Sequence, residues 1–417
     1  VSYRSPLELH ALGGSAAYEV ALFAVAAGFA LLLLVGRFTR VATVGCFVLT
    51  ASLHFRNPFI LLGFDHILRV ALFWSMFLPL GDTWSLDARR ARRAPRSRTH
   101  ASVASAALLL QVALIYFMAG LAKTGDVWLE SFTAIEWVLH DTSWAFDHAQ
   151  GFLAFPALLR GLTVATLVLE IGAPVLLLSP LFSGPVRTFG VCALLGLQLG
   201  IGSLMDLYLF PLVNLVLLVG LLPSFGWERL TALRAELPTP RPSAPPGVRH
   251  RLRDAFVVAS LLLVVLLNAS YVIPSVAVPG PLHWAIHAIG LHQRWELYGP
   301  EPRRADKQPT FAALLQNGER VGLDTESESE SWRVVRDIEG HYRYRLFTVF
   351  SLDRDFEVHE ILRPVYAQWI CDRWNRAATA ERQMNEVRLV AVTRRLRLRR
   401  EPTEPKIHAY HQHLCRG

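Results

Sequence analysis

Long apolar runs alternate with short polar stretches along the first two thirds of the chain, a pattern that predicts membrane-spanning helices. A run of about 20 apolar residues crosses the ~30 Å hydrocarbon core at ~1.5 Å per residue. The second and third runs are short and flank HFRNPFILLGFDH, which favours a re-entrant or interfacial segment. We predict eight spans, at residues 17–35, 41–54, 67–80, 101–121, 156–180, 187–202, 207–224 and 254–274.

The pattern changes after residue 275. Within residues 310–400, short runs such as SWRVVRDI, YRYRLFTVF and EVRLVAVTRRLRL alternate apolar and polar positions, with turn residues at NG and EG. A tail of this length can bury a small core of its own. The fold class predicted is a polytopic α-helical membrane protein of about 8 spans with a C-terminal mixed α/β, strand-rich soluble domain. The domains are residues 1–275 and 276–417, and a Pro-rich linker at 226–253 should be irregular.

Composition agrees with a membrane protein. Hydrophobic residues make up 52% of the chain and charged residues 18%, and mean hydropathy is +0.32. The net charge of +8 does not indicate nucleic-acid binding, because the arginines concentrate in loops and the tail without an accompanying aromatic stripe. Because Val1 is not a methionine, we expect the chain to begin after an upstream segment.

Arginine positions predict the orientation. Clusters of arginines lie within 83–100 and 226–253, and both segments should be cytoplasmic. Four predicted spans separate the two segments, and an even number of crossings returns the chain to the same side of the membrane. The loop after residue 122 and the tail are then on the outer side, which we expect to be the periplasmic side of a bacterial inner membrane, or lumenal in a eukaryote. Cys371 and Cys415 could pair there if the tail is outside the cytoplasm.

Ionisable groups at bilayer depth cost roughly 2.5–3.5 kcal/mol and need a partner or a role. Lys123 ends the run 101–121 and opens a loop with no other Lys or Arg. The acids of that loop are Asp126, Glu130, Glu136, Asp141 and Asp147. Glu170 lies within another apolar run. It is either a packing acid, a partner for Arg69 or a wall of a buried site.

A polar cluster surrounds the expected re-entrant segment and contains His54, Arg56, Asn57, Asp65 and His66. It has two interpretations, interfacial solvation with helix capping or a buried functional site near Arg69. Asp206 falls between two spans and is expected to be a cap.

Metal chemistry has little support in the sequence. His140 and His148 share a loop with carboxylates but not at HxxxH or HExxH spacing, and the HAYHQH tail is expected to be incidental. The chain has no GxSxG motif, phosphate-cradling glycine loop or Rossmann fingerprint. We therefore expect no metal.

Several motifs resemble those of a known family. YFMAGLAK at 116–123, followed by Asp126 and Trp128, resembles the active-site lysine motif of vitamin K-dependent γ-glutamyl carboxylases. Four more segments resemble those of the same carboxylases and occur in the same order. They are LPLGDTWSLD at 78–87, LEIGAP at 169–174, LMDLYLFP at 204–211 and QRWELYGPEP at 293–302. On this resemblance the chain is identified as a member of the HTTM (horizontally transferred transmembrane domain) family, the bacterial proteins similar to the carboxylase.

The resemblance implies a chemistry. In those carboxylases the lysine deprotonates a reduced naphthoquinone, oxygen addition gives a strong base, and a glutamyl carbanion captures CO₂. Lys123 would then be the catalytic base, reduced vitamin K or menaquinone the cofactor, and a peptide on the outer face the substrate. The chain departs from the family where carboxylases carry histidines. It has Pro58 after Asn57, and Gln198 near the second position.

Two hypotheses follow. The first is a quinone-linked carboxylase or oxygenase, a lyase that uses Lys123 as base. The second is a non-catalytic HTTM scaffold for peptide maturation or partner binding, in which Lys123 pairs with an acid such as Asp126 or Glu136. Further candidate buried polar or site residues are Asn57, Arg69, Glu170, Asp126 and Trp128. A transporter is less favoured because matched broken helices are absent from the sequence pattern.

Overall fold

The structure is a computed structural model that describes residues 6–90, 101–142, 144–231, 247–322, 343, 357–398, 404 and 406–415. They form two compact units. The first comprises the described parts of Val1–Asn57, Leu61–Glu136 and Phe146–Pro302, and the second those of Pro58–Ile60, Trp137–Ala145 and Arg303–Gly417. The first unit therefore includes 276–302, which the sequence analysis assigned to the tail. Most of the Pro-rich linker lies outside the described residues.

Helices dominate the described residues up to 290, including the short pieces at 58–60 and 137–145 that belong to the second unit. Short 3₁₀ turns lie at Leu9–Ala11, Pro58–Ile60 and Asp147–Ala154. The α-helices, in chain order, are α1 (Ala16–Leu34), α2 (Thr39–Arg56), α3 (Gly63–Ser75), α4 (Leu86–Arg90), α5 (Val103–Leu121), α6 (Asp126–Leu129), α7 (Ala134–His140), α8 (Pro156–Leu178), α9 (Ser183–Leu204), α10 (Phe210–Gly220), α11 (Ser224–Thr231), α12 (Val248–Val272) and α13 (Gly280–Ala288).

Five helices in the described part of the chain are long and apolar enough to cross a membrane: α1, α5, α8, α9 and α12. The expectation of about eight spans is therefore not supported. The predicted spans at 67–80 and 207–224 contain α3 and α10, of 13 and 11 residues. At ~1.5 Å per residue such helices reach only about 16–20 Å, too short for a ~30 Å core. α2 is longer but carries Arg40, His54 and Arg56.

Helix α5 is the centre of the first unit and contacts α3, α8 and α12. Small residues on its buried faces, including Ala104, Ala107, Ala113 and Ala119, allow the neighbouring backbones to come close. Ser102 caps its first turn, where the hydroxyl accepts a hydrogen bond from Ser105 N at 3.2 Å. The span predicted at 101–121 is thus confirmed as a helix, and α5 is the scaffold against which the neighbouring spans are placed.

The chain leaves helical geometry between α2 and α3, where the re-entrant segment was expected. Pro58 lacks the amide hydrogen that a continuing helix would use, and a 3₁₀ turn follows at Pro58–Ile60. Asp65 then caps α3, because its carboxylate accepts a hydrogen bond from Leu62 N at 2.8 Å. In the turn before α10, Asp206 accepts from Tyr208 N at 3.4 Å, as expected of a turn residue.

The described residues of the second unit after 303 contain a sheet and an α-helix, α14 (Glu357–Asn375), which contacts β3 and β4. The strands β1 (Ala305–Leu315), β2 (Arg320–Gly322), β3 (Met384–Arg395) and β4 (Lys406–Leu414) form an antiparallel sheet in the order β2-β1-β3-β4. Its core contains Phe311, Leu315, Ile370, Val387 and Leu389. The expected strand-rich α/β tail is confirmed.

The sequence left open whether the two tail cysteines pair. Cys371 in α14 and Cys415 after β4 form a disulfide, with their Cα atoms 5.7 Å apart. Of the runs predicted as strands, EVRLVAVTRRLRL forms β3, whereas SWRVVRDI and nearly all of YRYRLFTVF lie outside the described residues. The HAYHQH stretch is part of β4.

Candidate functional site

Lys123 follows the last turn of α5, and its side chain folds back onto that helix. The amine Nζ donates a hydrogen bond to Ala119 O, four residues earlier, at 3.0 Å. Only 3% of the residue is exposed. A lysine at the end of a span usually extends its amine into water. Lys123 instead buries its amine inside the helical unit.

The amine meets a carboxylate. Nζ of Lys123 lies 2.6 Å from Oε2 of Glu170, and Glu170 is itself only 6% exposed. Glu170 comes fourteen residues after Pro156, the first residue of α8, or about 21 Å along that helix. The ion pair therefore lies level with the middle of α8.

Gly120 lets the two helices come this close. A methyl group at its Cα would lie 2.8 Å from Ile171 Cγ1 and 3.1 Å from Ile171 N. Those distances are below ordinary van der Waals contact, so a larger residue requires α5 and α8 to separate. The AG pair in YFMAGLAK thus has a local physical purpose, which is to bring the Lys123 backbone within reach of α8.

A third acceptor comes from residues 290–300, which we call the post-span strap because they follow α12 and α13. Leu297 O accepts a hydrogen bond from Lys123 Nζ at 2.9 Å. Two further contacts attach the strap to the lysine loop. Trp128 Nε1 donates to Tyr298 O at 3.1 Å, and Gly125 N donates to Pro300 O at 3.2 Å.

Three oxygens surround the Lys123 ammonium: Nζ donates hydrogen bonds to Ala119 O and Leu297 O, and it forms an ion pair with Glu170 Oε2. The Trp128 ring centroid is 5.0 Å from Nζ, within cation–π range. Burial lowers the pKa of the Lys123 amine, whereas the Glu170 carboxylate acts to raise it. Such a site can keep a proton on the Lys123 nitrogen. Within this buried, low-dielectric environment, the group that can take that proton is the paired Glu170 carboxylate.

A polar row lies in the helices beside the pair. Gln198 Nε2, on α9, donates to the hydroxyl of Tyr116, on α5, at 3.0 Å. Gln198 Oε1 is buried and has no hydrogen-bond partner among the described residues. A buried acceptor without a donor is costly, so this atom is a candidate contact for a ligand or an ordered water.

A second buried cation, Arg69 on α3, is fully enclosed. Its Nε donates to Gly290 O at 2.8 Å, and Nη2 donates to His292 O at 2.9 Å. Ring nitrogens of His66 and His54 lie 2.9 and 3.3 Å from the guanidinium. A guanidinium has only donors, so these ring nitrogens act as acceptors.

The arginine cluster continues into further histidines. His54 Nε2 lies 3.6 Å from Asp65 Oδ1. The rings of His287 and His292 stack with centroids 4.4 Å apart, and His283 lies 4.8 Å from His287. His283 and His287 form an HxxxH spacing on α13 that the sequence analysis missed. Among the described residues, no group of three or more His, Cys, Asp or Glu could hold a metal ion.

The candidates selected from sequence fall in separate places. Lys123, Glu170 and Trp128 come together, and Asp126 opens α6 beside them. Glu170 does not pair with Arg69, and Lys123 pairs with neither Asp126 nor Glu136 but with Glu170. Asn57 caps the C-terminus of α2. The carbonyls of Ala119 and Leu297 were not predicted.

A model of the HTTM domain matches residues 9–227, which is more than half of the 417 residues. The match contains Lys123, Glu170, Tyr116, Gln198 and Arg69, and it ends before the strap. No curated protein and no solved structure matches the chain. The chain belongs to the HTTM-domain family.

Proposed function

We propose that the Lys123–Glu170 pair is a proton acceptor for an apolar hydroxyl substrate of the reduced naphthoquinone class, within a membrane carboxylase or oxygenase. One observation carries the proposal: a lysine amine and a carboxylate lie 2.6 Å apart, both buried, among helices long and apolar enough to span a membrane. The similarity of the lysine motif to the γ-glutamyl carboxylases supports the same role.

The pair can act as a base because its shared proton can be on either Lys123 Nζ or Glu170 Oε2. Transfer of one proton from Lys123 Nζ to Glu170 Oε2 gives a neutral amine and a protonated carboxyl group, with no change in total charge. The neutral amine can then take the proton of a substrate hydroxyl, which leaves a lysine ammonium beside the new oxyanion. Glu170, now uncharged, does not repel that anion. The resulting quinol anion would supply the reactivity towards oxygen that the family resemblance implies.

The wall beside the pair suits a ligand with hydroxyl or carbonyl oxygens. Gln198 Oε1 is an unused buried acceptor, and Tyr116 carries a hydroxyl next to it. The chain has Pro58 and Gln198 near the positions where the carboxylases carry histidines. We therefore assign proton transfer to Lys123. We assign no role in handling a carbanion to Pro58 or Gln198.

The topology we propose places the tail outside the cytoplasm, which is the periplasm in a bacterium. The Cys371–Cys415 disulfide supports it, because such bonds persist in oxidising compartments. The two arginine clusters support it independently through the positive-inside rule. A lipid quinol would reach the pair from the bilayer, and a peptide substrate would approach from the outer face.

The decisive experiment combines cofactor extraction with turnover. Purified protein should carry menaquinone, and should oxidise a reduced naphthoquinone with oxygen. Lys123→Arg keeps a positive charge that does not deprotonate, and we expect it to lose about 10²–10⁴-fold in rate. Lys406→Arg, on exposed β4, is the matched control and should keep full rate. Labelled CO₂ then separates a carboxylase from an oxygenase.

A non-catalytic scaffold is the alternative, and one observation favours it. The Lys123 amine already contacts two carbonyls and the Glu170 carboxylate, as in a structural ion pair. On this alternative the wild-type protein neither retains quinone nor consumes quinol, and Lys123→Met with Glu170→Gln leaves partner binding intact. Turnover in wild type that is lost in Lys123→Arg excludes it.

A further inference from the structure

We propose that the post-span strap is a latch that keeps the proton on Lys123, and that Gln293 is the positioning residue that fixes the strap. This inference rests on the proposed function, because it concerns how that base is regulated. The latch acts through Leu297 O, which is four residues beyond Gln293 and in contact with the amine. Moving the strap removes one of the three acceptors that favour an ammonium.

The strap is fixed at its centre by a reciprocal amide pair. Gln111 Nε2, on α5, donates to Gln293 Oε1 at 2.7 Å, and Gln293 Nε2 donates to Gln111 Oε1 at 3.2 Å. Both side chains are buried, with 0% and 2% exposure. Two amides that satisfy each other at this depth define a single register between strap and helix, since a shift leaves both unpaired.

Two indoles complete this amide network. Trp74 Nε1 donates to Gln111 Oε1 at 3.3 Å, and Trp295 Nε1 donates to Gln293 Oε1 at 2.8 Å. Trp74 and Trp295 are also buried. Each amide oxygen therefore receives one amide and one indole donor. Gln293 is consequently held from two sides, and the strap has little freedom at this residue.

The two ends of the strap are held by the two buried cations. At its start, Arg69 binds Gly290 O and His292 O. Near its end, Lys123 binds Leu297 O, and Gly299 packs against Ala122, where a methyl group would lie 2.6 Å from Ala122 O. An arginine keeps its charge, so the first anchor is permanent. A lysine can lose its proton, so the second anchor depends on the protonation state.

The direction of the effect follows from hydrogen bonding. A carbonyl that accepts from the amine stabilises the charged form and opposes loss of the proton. Glu170 from α8 does the same, and Asp126 and Glu301 are the further acids in the lysine loop and next to the strap. Withdrawing Leu297 O therefore makes Lys123 a more available base without touching Glu170. A substrate that displaces the strap carbonyl would activate its own base.

The chain has three lysines, Lys123, Lys307 and Lys406, so acylation of each lysine side chain can be followed separately. The rate of Lys123 acylation is measured by mass spectrometry as a function of pH in the full-length protein, with exposed Lys406 as internal reference. Two variants move the strap at different points, Gln293→Leu and Gly299→Ala. Gln412→Leu and Gly280→Ala are the matched controls, because Gln412 is exposed and a methyl group at Gly280 meets nothing within 4 Å.

We expect both strap variants to react about tenfold faster than wild type at a fixed pH below the midpoint, with the midpoint shifted to lower pH by about one unit. The controls should match wild type. Gln111→Leu combined with Gln293→Leu removes both amides and keeps an apolar contact, so it tests the latch if a single variant folds poorly.

Three results overturn the latch. They are an unchanged midpoint, a midpoint at higher pH, or a higher plateau rate with the wild-type midpoint, which indicates greater access only. The proposed function is judged separately, by loss of quinol turnover in Lys123→Arg. A shifted midpoint without turnover therefore keeps the latch and rejects the enzyme. Turnover with an unshifted midpoint does the opposite.

Discussion

The two buried cations of the helical unit are neutralised in different ways. Lys123 faces the carboxylate of Glu170, whereas Arg69 is surrounded by main-chain carbonyls and ring nitrogens, with Asp65 reached through His54. A lysine–glutamate pair can exchange a proton and become neutral. A guanidinium cannot, so its surroundings must supply permanent acceptors. The comparison teaches that Lys123 lies where a proton can be exchanged with its partner, whereas Arg69 lies where its charge is permanent.

The largest effect should come from removing the arginine. Arg69→Met leaves Gly290 O and His292 O without a donor and detaches the start of the strap. We expect a loss of about 3–5 kcal/mol in the free energy of unfolding, measured in mixed micelles with a denaturing detergent. Arg69→Lys should rescue little, since one ammonium has three donors where the fork has five.

The control for this variant is Arg294→Met. Arg294 is exposed and pairs with Glu296 on the surface, so its loss should cost less than about 1 kcal/mol. A comparable loss in the two variants would show that burial of the arginine contributes no special stability.

A smaller effect is expected at the lysine. Lys123→Met leaves Glu170 buried, but the carboxyl group can take up a proton, which limits the loss to about 2–3 kcal/mol. Adding Glu170→Gln should recover at least half of it, because neither charge then remains. The same double-mutant cycle measures the coupling between the two side chains. Simple additivity would show that the pair is not a unit.

An even smaller loss of stability is expected from a variant that pushes α5 and α8 apart and leaves both charged residues in place. Gly120→Ala places a methyl group against Ile171, so we expect a loss of about 1–2 kcal/mol and a weaker ion pair. Gly172→Ala, on α8, is the control, because a methyl group there meets nothing within 4 Å. Equal stability of the two variants would contradict a role for close α5–α8 contact.

The smallest effect is expected at Asp87, a partly exposed acid that contrasts with the buried Glu170. Asp87, beside Arg37, accepts hydrogen bonds from Thr39 N at 2.8 Å and from Thr39 Oγ1, and these bonds lower its pKa to about 2. Because the folded pKa is below the unfolded value of about 3.9, the contribution is complete above about pH 5 and is lost as pH falls towards 2. The difference in Tm between wild type and Asp87→Asn should shrink over that window. A constant difference would contradict it.

The sequence identified the members of the lysine site better than their arrangement. Lys123 and Glu170 were conspicuous as ionisable groups in apolar runs, and Trp128 lay in the same motif. Their pairing was not visible, because it depends on which turn of α5 meets which turn of α8. The nearer acids Asp126 and Glu136 looked like better partners than one 47 residues away. The glycine that sets the contact, Gly120, was read only as part of a motif.

Other features lay beyond sequence reasoning for physical reasons. The carbonyls of Leu297 and Gly290 have no residue signature, since every residue carries one. The predicted count of about eight spans is not supported among the described residues, because hydropathy marks apolar runs, whereas the ends of α3 and α10 are set by turns. The HxxxH pair His283 and His287 was readable and was overlooked. The disulfide was correctly left open, since it depends on compartment.

The three oxygens around the Lys123 amine have a consequence for any ligand aimed at it. An added ligand cannot simply approach this nitrogen, because it must replace Leu297 O, Ala119 O or Glu170. Compounds that bring a strong acceptor, such as phenolates or flat diketones, are therefore favoured over amines and alcohols. Their affinity should rise with the acidity of the phenol, so binding measured across a series of phenols of graded pKa would show how readily one oxygen near the amine is replaced by another.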